Sequence, residues 1–307
     1  MIGQTFRRLI YGKQRDWSAP ALRVSKVISY EDYMHYANEN QQTDMVNSAF
    51  EKALIPDSSR QFKYNGYCYV CKTLVEFIVD FNYAYEVEGV LMPNWRERLV
   101  CPICRLNNRM RAVVHVFDLE CHPNRDFNIY ITEQTTGLYK LFKKTFPNLI
   151  GSEYFGGSVI DYGNAINNGI RNEDLTQLSF SNDQFDCILS FDVFEHIPNY
   201  RKALAECYRC IKPGGILLFS VPFVRTSEKN IVRAYLSQAG EIVHLLPPEY
   251  HGDPINSDGC LCFYHFGWEM LEDIKTVGFK NPQALLYWSK EFGYLGGVQL
   301  IFAAKKE

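Results

Sequence analysis

Residues 172–223 read NEDLTQLSFSNDQFDCILSFDVFEHIPNYRKALAECYRCIKPGGILLFSVPF, and this stretch decides the fold. The run 185–191 is apolar almost throughout and of strand length, which marks a strand covered on both faces. Asn199 follows at the N-cap position of a helix whose inward face carries Tyr200, Ala203, Leu204, Cys207, Tyr208 and Ile211. Pro213-Gly214-Gly215 is expected to stop that helix and turn the chain into a second buried strand, ILLFSV. The same alternation extends outward. A strand is predicted over 128–133 and a helix over 137–146, with Leu138, Leu141, Phe142 and Phe146 on one face. Beyond the core stretch, a helix over 268–277 ends at Gly278, and two strands over 284–289 and 298–303 close the chain. Strands alternating with helices predict a mainly parallel α/β sheet, Rossmann-like, with helices on both faces. The last two strands, joined without a helix, predict an antiparallel hairpin at the sheet edge.

Composition agrees with a folded chain of one large or two ordinary domains: 307 residues, 47% hydrophobic and 22% charged, which excludes global disorder. A formal charge of −3 excludes a surface covered in phosphate-neutralising side chains. No apolar run is long enough for a membrane-spanning helix, and MIGQTFRRLIYGKQR lacks the apolar core of a secretory signal, so a cytoplasmic protein is expected. Charge is uneven: Arg7, Arg8, Lys13, Arg15, Arg23 and Lys26 face only Asp16 in the first 26 residues. Residues 1–60 are therefore read as a basic arm followed by a helix over 30–55, ended by Pro56 to Ser59.

Residues 61–125 are read as a metal-binding module. Cys68-Tyr-Val-Cys71 and Cys101-Pro-Ile-Cys104 are two CxxC pairs separated by 29 residues. Each pair can form a knuckle presenting two thiolates, and two knuckles close a tetrahedral zinc site with no open position, hence a structural one. Val75, Phe77, Val79 and Phe81 alternate between the pairs, so a strand there can bring them together. Met110, Val113, Val114 and Phe117 then mark one face of a helix. Cys121 and His122 are fallback ligands. Cys207 and Cys210 repeat the spacing inside a predicted helix, where core packing explains them. Cys260 and Cys262 receive no role.

In order and spacing, the acidic residue, the LSF turn, FD, the apolar strand, EH, the helix and KPGG of residues 172–223 resemble a class I S-adenosylmethionine-dependent methyltransferase of the type 11-like group. The resemblance extends over residues 126–305, and it implies a seven-stranded sheet, an S-adenosylmethionine cofactor and an enzyme transferring methyl groups. Paired with the upstream CPIC segment it also resembles a bacterial group acting on sugars and surface glycans. It implies that Asp174 and the Leu175 backbone read the adenine edge and that Glu153 holds the ribose. Glu133 matches the leading acid of the first loop. Family members carry glycines through that loop; here residues 131–137 read Ile-Thr-Glu-Gln-Thr-Thr-Gly, leaving only Gly137. Asp186 is read as a sheet anchor.

For a hydroxyl acceptor the proton must be removed as the methyl group moves. His196 at a strand end and His251 in the polar 250–253 insertion are the two candidate bases, while His265 is expected to cap the following helix. The expected reaction is O-methylation of a sugar-like or other small polar acceptor. Two alternatives stand beside it. A zinc-finger RNA methyltransferase would use the basic arm with Arg105, Arg109 and Arg111 on phosphate, which the acidic remainder disfavours. A non-catalytic binding protein would follow from the altered loop. Nothing in the sequence sets an oligomeric state.

Overall fold

Residues 185–191 are buried at every position but Asp186, as a strand covered on both faces requires. The structure, a computed structural model, describes residues 20–57, 60–156, 161–166, 169–253 and 255–307. Arg7, Arg8, Lys13 and Arg15 of the expected basic arm lie outside these residues. In chain order the main elements are β1 (Val24–Val27), α1 (Tyr30–Ala53), β2 (Gln61–Cys68), β3 (Thr73–Asp80), α2 (Asn108–Cys121), β4 (Ile129–Ile131) and α3 (Gly137–Thr145). There follow β5 (Ile150–Gly151), β6 (Phe185–Phe191), α4 (Tyr200–Cys210), β7 (Ile211–Ser220), α5 (Glu269–Thr276), β8 (Lys280–Ser289) and β9 (Tyr294–Lys305).

Seven of the strands form one mixed sheet in the order β1-β8-β9-β7-β6-β4-β5. Strand β6 is parallel to β7 and to β4, β4 is parallel to β5, and β9 runs antiparallel to β7. The α/β architecture follows the alternation in the sequence, with two corrections. The C-terminal hairpin is not the sheet edge, because β1 lies outside β8. Only Val27 of its four residues is buried, too short a pattern to show the strand period. Second, the helix ends at Cys210 before the Pro-Gly-Gly, which the structure takes into the irregular start of β7, where pairing jumps from Phe185↔Ile211 to Cys187↔Ile216. A Cβ on Gly215 would stand 2.7 Å from Ile211 Cγ2 and 2.9 Å from the Asp186 carbonyl, so only glycine fits against β6 there.

Local polar contacts set these elements. Asn199 caps α4, its side chain accepting from Lys202 N at 3.2 Å. Asp186 accepts from Asn128 N and from Lys212 Nζ, each at 2.8 Å, and so ties the starts of β4, β6 and β7. Cys207 and Cys210 are fully buried in the core.

The chain forms two compact units, one of residues up to 27, 34–124 and 285–301, the other of 28–33, 125–284 and 302–307. In the first, two buried charges are tied to the hairpin of β8 and β9. Glu51, only 4% exposed, accepts from Trp288 Nε1 at 2.7 Å and from Gly296 N and Gly297 N at 2.8 and 3.0 Å. Arg111 is fully buried and donates to the carbonyls of Phe292 (2.7 Å), Leu99 (3.2 Å) and Gly293 (3.3 Å), its guanidinium 3.8 Å from the Phe77 ring centre. This corrects the phosphate role considered for Arg111, since it has no solvent face. Arg109 is likewise engaged, pairing with Glu97 at 2.7 Å. Among the described residues no helix is long and apolar enough to cross a membrane.

Replacing Arg111 with Met keeps the volume but leaves three buried carbonyls without their donor. Urea denaturation of Arg111→Met is expected to show a loss of about 3 kcal/mol.

Candidate functional site

A cavity of about 520 Å³ opens at the carboxyl ends of β4, β5 and β6, where open α/β sheets place their ligands. Thr132, Glu153, Asp174, Leu175, Asp192 and His196 are among the residues that line it. Its opposite wall comes from the segment between β7 and α5, through Leu236, Asp253, Ile255, Leu261 and Phe263.

The glycine-poor first loop is built around Glu153. One oxygen, Oε1, accepts from Gln134 N (2.8 Å), Thr135 N (3.0 Å) and Thr135 Oγ1 (2.8 Å). The Gln134 side chain accepts from Arg171 N at 2.9 Å and donates to the Gly169 carbonyl at 3.1 Å. The loop is therefore held by a carboxylate and an amide instead of being freed by glycines. One glycine is still required nearby. A Cβ on Gly151 would lie 2.5 Å from the Tyr139 ring and 2.6 Å from the Glu133 carbonyl. Thr136, not Gly137, caps α3, accepting from Tyr139 N at 3.1 Å.

Asp174 shapes the turn at the other end of this wall. Its Oδ1 accepts from Thr176 N (2.7 Å) and Thr176 Oγ1 (2.8 Å), and its Oδ2 accepts from Tyr162 Oη at 3.2 Å. Burial and the nearby Asp174 push the Tyr162 phenol up to about 12, so it donates rather than ionises.

At the end of β6 the chain passes through Asp192 in the left-handed region, φ 55°. Its carboxylate accepts from Ser220 Oγ at 2.8 Å. A short 3-10 turn, Phe194–His196, then points Glu195 into the interior. Neither Glu195 oxygen has a hydrogen-bond partner among the described residues. Burial raises its carboxyl to about 7. His196 Nδ1 donates to the Leu261 carbonyl at 2.8 Å, leaving Nε2 as a lone pair 3.6 Å from Glu195 Oε1. His251 Nε2 donates to Glu249 Oε1 at 3.0 Å, leaving Nδ1 also 3.6 Å from Glu195 Oε1. Both separations exceed hydrogen-bond length. Burial lowers His196, whereas the adjacent Glu195 raises His251. Glu249 is itself held by Arg233 at 3.1 Å and by His265 Nε2 at 3.0 Å. His265 therefore does not cap α5, contrary to the expectation from sequence; it orients Glu249, and the α5 N-cap position is Trp268, whose side chain makes no capping bond.

In the other unit, Cys68, Cys71, Cys101 and Cys104 bring their sulfurs within 4.8 Å of one another, with Cys68–Cys104 at 3.8 Å and Cys71–Cys101 at 3.7 Å. The eight-residue pairing of β2 with β3 delivers the first knuckle, and a turn stapled by Arg105 N to the Cys101 carbonyl (3.0 Å) delivers the second. Cys121 ends α2 and His122 is its left-handed C-cap, so the fallback ligands are not part of this cluster.

Of the residues singled out from sequence, Glu153, Asp174, Leu175 and His196 line the cavity, and His251 stands behind it against Glu195. Glu133 and Gly137 are not among the lining residues. Sequence reading missed Asp192, Glu195 and Glu249. The signal was present in DVFEH and EYH, where each histidine has an acid one or two positions before it.

Comparison with known proteins finds methyltransferases similar to parts of this chain. Residues 140–219 match the family model described as "Methyltransferase domain". A 53-residue stretch is 34% identical to a Mycolicibacterium smegmatis protein named "Probable S-adenosylmethionine-dependent methyltransferase", covering 17% of this chain and 21% of that one. A 69-residue stretch is 33% identical to the ubiquinone biosynthesis O-methyltransferase of Pseudomonas putida, covering 22% of this chain and 28% of that one. The chain thus spans about a quarter of the length of the curated relatives it matches. Among solved structures, an S-adenosylmethionine dependent methyltransferase from Mesorhizobium loti is similar at 13% identity and a TM-score of 0.39, over 65% of this chain and 98% of that one. The Burkholderia thailandensis 1,6-didemethyltoxoflavin-N1-methyltransferase is similar at 14% identity and a TM-score of 0.39, over 64% and 77%.

Proposed function

We propose that this chain is an S-adenosylmethionine-dependent methyltransferase acting on a hydroxyl of a small, ring-bearing polar acceptor, sugar-like in size. The observation that carries the reading is one cavity with Glu153 at a strand end, Asp174 in the turn beside it and His196 next to an acidic, histidine-bearing wall. The methyltransferase-domain match over residues 140–219 and the O-methyltransferase named among the relatives support it.

The cofactor supplies the methyl group as a sulfonium electrophile; the residues of this chain bind, orient and handle the proton. Glu153 uses Oε1 to hold the first loop and leaves its second oxygen outside those bonds, the position for a ribose hydroxyl. Asp174 and the Leu175 backbone take the adenine edge. Leu236, Ile255, Leu261 and Phe263 offer an apolar wall for the face of a ring. His196 and His251 activate the acceptor hydroxyl, which at neutral pH is a poor nucleophile until its proton has a destination.

In the same reading, Cys68, Cys71, Cys101 and Cys104 hold a structural zinc ion. Four thiolates at about 2.3 Å from one ion stand about 3.8 Å apart, and the Cys68–Cys104 and Cys71–Cys101 separations are 3.8 and 3.7 Å. Metal analysis is expected to return about one zinc per chain. Cys101→Ser is expected to lose it and to lower the melting temperature, because a closed thiolate site contributes folding free energy.

Calorimetry with S-adenosylmethionine tests the central reading and separates it from a non-catalytic protein with a lost cofactor site. Glu153→Ala is expected to weaken binding by about 1.5–3 kcal/mol. Unchanged affinity would move the ribose elsewhere.

His196→Ala is expected to lower kcat about 10²–10⁴-fold while leaving cofactor affinity close to wild type. His251→Ala is expected to change kcat and the acceptor KM together. Full turnover in both variants would remove the hydroxyl acceptor from the proposal and favour one that is already nucleophilic.

A further inference from the structure

Glu195, His196 and His251 form an arrangement that hydrogen bonding within the protein does not complete. Glu195 is fully buried, and both of its oxygens lack a hydrogen-bond partner among the described residues. The two imidazoles nearest to it have each committed one ring N–H elsewhere, His196 to the Leu261 carbonyl and His251 to Glu249. Their remaining nitrogens, Nε2 and Nδ1, are both 3.6 Å from Glu195 Oε1. One carboxylate oxygen and two imidazole nitrogens thus converge within 4.8 Å of one another, with no hydrogen bond of ordinary length joining them. A buried carboxyl group without a hydrogen bond is costly, and a cation held between it and the two imidazoles lowers that cost.

We propose that Glu195, His196 and His251 bind a divalent transition-metal cation at the edge of the cavity. A cation about 2.1 Å from each donor would hold them about 3.0–3.4 Å apart, close to the 3.6 Å at which Glu195 Oε1 already stands from each imidazole nitrogen. Two imidazoles and one carboxylate favour zinc, manganese or iron over magnesium or calcium, and three protein ligands leave coordination positions open. The surroundings have the form of an outer shell. The Leu261 carbonyl and Glu249 each accept from the non-ligating nitrogen of a histidine, which fixes the tautomer and aims the lone pair. Glu249 is anchored in turn by Arg233 and His265. This arrangement differs in kind from the four-thiol cluster, which has no open position.

The role of the cation in catalysis rests on the methyltransferase reading; its binding does not. An acceptor hydroxyl on an open position would release its proton to solvent more readily. Its oxygen would then form the new C–O bond to the methyl carbon as the C–S bond breaks, with that electron pair going to sulfur. The two histidines would activate the acceptor through the ion rather than by taking the proton themselves.

The test is calorimetric titration of Mn²⁺ into the full-length, zinc-loaded protein, since manganese competes poorly for thiolates. One equivalent is expected to bind, with affinity at least tenfold weaker in Glu195→Gln and in His251→Gln. Glu249→Gln, outside the ligand set, is expected to weaken it about tenfold and to keep the ligands themselves. Mn²⁺ should also raise the melting temperature of wild type and not of Glu195→Gln. No Mn²⁺ binding to the wild type, or equal binding by all the variants, would overturn the proposal. Cofactor titration on the same samples separates the two readings: S-adenosylmethionine binding without Mn²⁺ binding removes only the cation site. Mn²⁺ binding lost in the variants, without cofactor binding, upholds the cation site and removes the methyltransferase reading.

Discussion

Everything at the cavity depends on where β6 ends. Its seven residues pair in parallel with β4 on one side and β7 on the other, and its apolar side chains are buried on both faces. A strand fixed in that way has no freedom to slide, because a one-residue slip would exchange its two packed faces. The residues just past its carboxyl end inherit this rigidity. Asp192 takes a left-handed turn held by Ser220, and the 3-10 turn delivers Glu195 inward and His196 to the cavity wall. Groups held on a rigid strand end keep geometry better than groups on a free loop. The partner groups His251 and Glu249 do come from a long connecting segment. That segment is tied back to the same strand end, since Phe263 N donates to the Glu195 carbonyl at 2.7 Å.

Much of this was legible locally. A strand needs a run of apolar residues, a helix needs a cap and a periodic face, and residues 185–220 display both within a few positions. That the two CxxC pairs come together was legible for the same reason, because a strand pattern lies between them. What escaped is polar and distant in sequence. Arg111 looked like one of three basic residues after a knuckle, yet its acceptors at Phe292 and Gly293 lie 181 and 182 residues away. Glu51 sits in a helix of low apolar periodicity, and its donors at Trp288, Gly296 and Gly297 are equally remote. Burial of a charge depends on the partner that folding brings, and no periodic pattern announces that partner. The candidate site divides in the same way. Glu153, Asp174 and His196 follow strands or turns that could be read, whereas Glu195 and Glu249 acquire meaning only from the histidines folded against them.

The two buried charges of the first unit show how such groups are made tolerable. Arg111 offers several donors in a fixed plane, and three carbonyls accept them over a stacked phenyl ring. Glu51 takes the complementary part, accepting from an indole and two backbone amides. Both act on the hairpin of β8 and β9, Arg111 on the carbonyls of its turn and Glu51 on Trp288, Gly296 and Gly297 of its two strands. Glu195 is equally buried but has no such partners, and this contrast within one molecule sets it apart from structural anchors.

The first loop is ordered without internal glycines. Glycines in such a loop let the backbone approach a ligand, but a loop of Gln134, Thr135 and Thr136 needs another source of order. Glu153 provides it by drawing two backbone amides and a hydroxyl onto one oxygen. In the proposed reading, the same carboxylate that receives the ribose also sets the loop beside it. Binding and loop geometry are then coupled through one side chain at the end of β5, whose close approach to the loop requires Gly151. A loop without flexible residues is thereby compatible with a cofactor site, because a charge-assisted hydrogen-bond cluster supplies the order that backbone freedom would otherwise leave to the ligand.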